Sequence, residues 1–97
     1  MKTITVIDGI ANSEKSYLAE KITKDSNYVH LKYSDLGNAF SFMDVTKYTE
    51  FIIIDDVPMH RINDCKNAFR YDKLIVERRG ENPISMPMPH VVLIAIR

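Results

Sequence analysis

The sequence predicts a small α/β domain built on a doubly wound parallel sheet with helices on both faces. Two observations carry this expectation. Apolar, β-branched runs alternate with segments of helical period along the chain. The runs "TITVI", "FIII" and "HVVLIAI" are nearly continuous in apolar residues, and "TITVI" is the one read as a strand covered on both faces. At 97 residues the chain makes one domain, residues 1–97, with a single core.

Taken in order, "TITVI" (3–7) reads as a buried strand, and Ser13 then caps a helix whose apolar face carries Leu18 and Ile22. "NYVHLKY" (27–33) alternates, opposing Tyr28, His30 and Lys32 to Val29, Leu31 and Tyr33, and so reads as a strand. In "SDLGNAFSFM" the period changes. Leu36, Ala39, Phe40 and Met43 fall at i, i+3, i+4 and i+7, which predicts a helix capped by Ser34. "EFIIIDDV" is the most hydrophobic strand candidate and stops at two acids. Pro58 then opens a third helix with the stripe Ile62, Cys65 and Phe69. Segments 73–78 and 83–86 flank "RGEN" and predict a β-hairpin within 72–88. "HVVLIAIR" supplies a last buried strand.

Composition narrows the function classes. The chain is 45% hydrophobic and 27% charged, and no apolar run approaches the roughly 20 residues of a membrane span, so no membrane partner is expected. "MKTITVID" turns polar too early for a signal peptide, and the lone Cys65 has no cysteine to pair with; both predict an intracellular protein. Thirteen basic residues against thirteen acidic ones exclude bulk polyanion binding but leave room for a local basic patch. His30, His60 and His90 show no metal-ligand spacing and read as surface or satisfied-core histidines.

The stretch "DGIANSEKS" (8–16) nearly spells a phosphate-binding loop, G-x-x-x-x-G-K-[ST], directly after a strand. Such a loop curls consecutive backbone N–H groups around an anion at a helix N-terminus. Gly9, Asn12, Ser13, Lys15 and Ser16 are the candidate nucleotide ligands, with the Ser16 hydroxyl reaching Mg2+. The alternative is an ordinary strand-to-helix turn with a solvated lysine. Glu14 stands where the pattern has its second glycine, adding a Cβ and a negative charge. Two like charges about 5 Å apart repel by about 3 kcal/mol at an effective dielectric of 20, comparable to the attraction Lys15 offers. The end of "FIIIDDV" is the natural second half of the site. Asp55 would hold the metal and Asp56 would orient an attacking water, unless the strand merely meets solvent there.

Together with the basic hairpin before "PHVVLIAI", these motifs resemble, in order, the core of the superfamily 3 helicases. That family comprises AAA+-type P-loop NTPases of small DNA viruses and related mobile elements. The resemblance runs from about Thr3 to Ile96. It implies a small P-loop core, Mg2+ and ATP as cofactors where the site works, and a hairpin that grips single-stranded DNA in a ring channel. The matching cations are Lys73, Arg78 and Arg79, diluted by Asp72, Glu77 and Glu81; an exposed turn of ordinary charge is the alternative.

The chain departs from the family at Glu14, at the final strand, which runs into Arg97 without the family's polar sensor residue, and in lacking the arginine finger. Phosphoryl transfer depends on such positioned charge, so efficient hydrolysis is not expected. The expectation is a degenerate, non-catalytic core that binds or regulates nucleic acid or a replication ATPase. The alternative is a minimal Mg-dependent ATP-binding protein of the helicase class. The family's sheet carries a further strand beside the first, so residues 3–7 are expected at a sheet edge, self-associating or pairing with a partner.

Overall fold

The structure, a computed structural model, describes residues 3–8, 12–38 and 40–96, and for 12–16 the backbone alone. Among the described residues six strands, β1 (Ile4–Ile7), β2 (Tyr28–Lys32), β3 (Phe51–Pro58), β4 (Lys73–Val76), β5 (Ile84–Pro87) and β6 (His90–Ile96), accompany two α-helices, α1 (Asn12–Ile22) and α2 (Ile62–Ala68). Four strands form one sheet in the order β1-β6-β3-β2, every neighbour parallel; β4 and β5 form a separate antiparallel hairpin.

The two uninterrupted apolar runs take the centre. In β3 and β6, Ile52, Ile53, Ile54 and Val91 through Ala95 are all buried, because both faces of the sheet are covered there. Alternation sends Ile53, Val92, Ile94 and Ile7 toward α1, and Ile52, Ile54, Val91 and Leu93 toward α2 and the hairpin. The helices therefore lie on opposite faces, with the larger cluster on the α2 side. There Ile62, Cys65 and Phe69 are buried as their spacing predicts, and Leu74, Val76 and Met86 close the cluster from the hairpin.

Three local expectations are corrected. Of the described α1 side chains it is Ala19 that packs on the sheet, with Thr23 buried just past the helix end, and not Leu18 and Ile22, which are exposed. A small residue at the contact line lets the helix sit close to the sheet, and the Thr23 hydroxyl satisfies itself by donating to the Ala19 carbonyl at 3.0 Å.

Residues 34–43 do not form the expected α-helix. A 3-10 helix spans Tyr33–Gly37, followed by turns. Side chains outcompete the helical ladder here: Asn38 Oδ1 accepts from Phe40 N at 2.9 Å, and the Ser41 hydroxyl donates to the Asp35 and Asn38 carbonyls. Ala39, in the predicted stripe, lies outside the described residues.

Finally, β3 does not stop at its acids. It continues through Asp55 and Asp56 to Pro58 across a bulge between Ile54 and Val57. A 3-10 turn, Met59–Arg61, separates it from α2.

Candidate functional site

In a parallel sheet every strand delivers its C-terminus to the same edge, so sequence-distant loops meet there. β1 ends at Ile7, and α1 has begun by Asn12. The chain leaves β1 through α1 on one face and returns from β2 to β3 and β6 on the other, which makes the β1/β6 end the switch point of the winding. The candidate phosphate loop is the segment that follows β1 in sequence, and the end of β1 lies at that switch point. β6 stands between β1 and the acid-bearing end of β3.

Of the candidate nucleotide ligands, Gly9 lies outside the described residues. Asn12, Ser13, Lys15 and Ser16 occupy the first turns of α1, with their side chains, like that of Glu14, outside the description. The helix begins at Asn12, one residue ahead of the expected cap.

Asp55 is placed by its parallel partner. Lys32 is its Cα neighbour on β2, and His30, one pleat earlier on the same face, reaches Asp55 Oδ2 with Nε2 at 3.3 Å. The other oxygen, Oδ1, accepts the Asp56 backbone N–H at 2.8 Å. The Asp56 backbone is left-handed, φ 57°, a region that Asp visits more readily than most non-glycine residues. Asp56 is exposed, while the Asp55 side chain retains 21% exposure. A single carboxylate at this edge suits Mg2+, which is commonly held by one or two carboxylates together with phosphate and water. His30 competes for the same oxygen.

The hairpin cations divide into two kinds. Arg78 is folded back: Nε donates to the Met43 carbonyl at 3.0 Å and a terminal nitrogen donates to the Val45 carbonyl at 2.6 Å. It ties the turn end of the hairpin to the segment before β3. Arg79 is exposed with its guanidinium 5.3 Å from the Phe40 ring centre, and Lys73 is exposed on the outward row of β4. Gly80, φ 76°, occupies the left-handed position of the turn closed by Glu81 N and the Arg78 carbonyl.

Sequence reasoning missed the His30–Asp55 pair and the anchoring by Arg78. The first was readable in principle, since parallel pairing of "YVHLK" with "FIIID" puts the histidine two residues from the acid's partner, on the same face. The second had no sequence signal, because carbonyl acceptors leave no signature in residue type. Among the described residues no group of three or more His, Cys, Asp or Glu side chains is placed to hold a metal by itself. No family model, curated protein or solved structure matches the chain.

Proposed function

We propose that the chain is a superfamily 3 helicase-like P-loop core that acts by binding, on nucleic acid or on a replication ATPase, without turning over ATP. The observation that supports this most is the strand order β1-β6-β3-β2. It brings the loop after β1 and the acids of β3 to one edge, one strand apart, where a phosphate loop and a metal-binding acid must cooperate. The loss of hydrolysis follows from chemistry at the same edge. Glu14 opposes a phosphate that Lys15 would attract, and both Asp55 oxygens already have protein partners. On the hairpin, Lys73 and Arg79 are the cations open to a phosphate backbone, since Arg78 is engaged by carbonyls.

Thermal unfolding with and without Mg-ATP tests the reading. The wild-type chain shows no shift at millimolar nucleotide, whereas Glu14→Gly gains binding, worth about 2.7 kcal/mol at 100 times its dissociation constant. A wild-type shift that Lys15→Ala abolishes would instead establish a minimal ATP-binding protein. For nucleic acid, Lys73→Ala with Arg79→Ala weakens single-stranded DNA binding uniformly across sequences and flattens its salt dependence. Equal binding by that double variant overturns the hairpin assignment.

A further inference from the structure

The four-stranded sheet has two edge strands, β1 and β2. Among the described residues β1 pairs with β6 alone, on one flank. The Thr3 carbonyl accepts from Val91 N at 2.9 Å, and backbone groups in a parallel strand alternate in direction. Thr3, Thr5 and Ile7 therefore point their N–H and C=O toward β6, while Ile4 and Val6 point theirs out to the open edge.

The side chains around this edge are apolar on both faces of the sheet. Val6, on the α2 face, is 37% exposed. On the other face Leu18 and Ile22 are 38% and 41% exposed, although they fall in the helical register of a core stripe. Ala19 packs on the sheet and Thr23 is buried on the same side just past the helix end, so Leu18 and Ile22 flank that line on one side. A right-handed crossover from β1 to β2, the hand such units adopt, turns that flank outward past β1. Unpaired backbone and exposed aliphatic side chains thus converge on one strip.

We infer that this strip is a self-association surface, in which β1 pairs antiparallel with β1 of a second copy about a two-fold axis through Thr5. The axis commits the occupant because the edge is complementary to itself. With Thr5 opposite its own copy, Ile4 faces Val6, and both residues are the ones whose backbone groups point outward, so each such pair exchanges two hydrogen bonds. Ile4 and Val6 also share one sheet face, so their side chains meet across the new ladder. The axis stands normal to the sheet and leaves α1 on the same face in both copies, where Leu18 and Ile22 meet their counterparts. A strand pair this short falls below the roughly 1,200 Å2 of a stable interface, and the helix contact supplies the remaining area. The result is one continuous eight-stranded sheet. It rests on β1 and α1 alone and is independent of whether residues 9–16 bind phosphate.

The test is sedimentation of the 97-residue chain across micromolar concentrations, combined with a register probe. A reversible dimer is expected. Thr5→Cys should cross-link under mild oxidation, because an unbonded antiparallel pair sets its Cα atoms at about 4.5 Å, within disulfide reach. Val6→Pro removes an outward N–H and no intrachain bond, and Ile22→Glu places charge at the helix contact; each should weaken the dimer about tenfold or more. Circular dichroism checks that both variants fold, and Ile22→Glu carries the test if Val6→Pro does not. A monomer at every concentration overturns the inference, as does a dimer that ignores Ile22→Glu and fails to link through Thr5→Cys. An edge covered by a strand of a different protein gives the monomer.

Discussion

Arg78 shows how one side chain exchanges an expected function for an observed one. A guanidinium offers five donors in a fixed fork, and two of its nitrogens meet carbonyls of a segment more than thirty residues away. Hydrogen bonds from a charged donor contribute about 1.5–3 kcal/mol each when sheltered, and less where water competes, as it does at this half-buried site. Arg78→Ala should therefore lower stability by about 1–3 kcal/mol, read as a melting-temperature drop of several degrees, whether or not nucleic acid is present. Arg79→Ala, which removes only an exposed ring contact, should change it by less than about 1 kcal/mol. Equal effects would mean that the carbonyl contacts do not hold the hairpin. Residue chemistry at Asp55 was legible beforehand, since an acid ending an apolar strand is visible in the string. The left-handed backbone at Asp56 was not, because it arises from a bulge that only sheet register produces.

At the scale of elements, periodicity succeeded where burial dictates structure and failed where side chains bond to local backbone. β3 and β6 follow the apolar pattern because they bury residues in the clusters on both faces of the sheet, and α2 and the hairpin because they bury theirs in the larger one. Segment 34–43 carries the helical spacing yet turns, since Asn38 and Ser41 satisfy carbonyl and amide groups that a helix would have paired. α2 provides an elemental prediction. Its Cys65 is buried, and burial pushes the thiol upward, with the Asp64 carboxylate adding to the rise and Arg61 opposing it. A raised folded value means that the unfolded state ionises first. The thiol's contribution is then complete below about pH 8.5 and is lost as pH climbs toward the folded value. The urea midpoint should fall above about pH 9, and less steeply in Cys65→Ala. Identical alkaline slopes would show that the thiol ionises as freely folded as unfolded.

The whole molecule is asymmetric about its sheet. On the α2 side, side chains from β3, β6, α2 and both hairpin strands share one cluster; on the other, α1 adds Ala19 to Ile7, Ile53, Val92 and Ile94. An alanine buries little area, so the described contacts hold α1 far more weakly than they hold the central strands. Elements with little buried apolar surface open at free energies below that of global unfolding. Native-state hydrogen exchange should accordingly find α1 amides opening ahead of those in β3 and β6. Self-association would change this order in one place only. Pairing through β1 covers Leu18 and Ile22 and ties down the outward amides of Ile4 and Val6, and a species that binds only the closed form is stabilised by mass action. Raising protein concentration should therefore slow exchange in α1 and at Ile4 and Val6, leave β2 at the opposite edge unchanged, and lose its effect in Ile22→Glu. Concentration-independent exchange throughout α1 would mean that the aliphatic flank stays in water, and that the helix is held by Ala19 and Thr23 with whatever its first turns contribute.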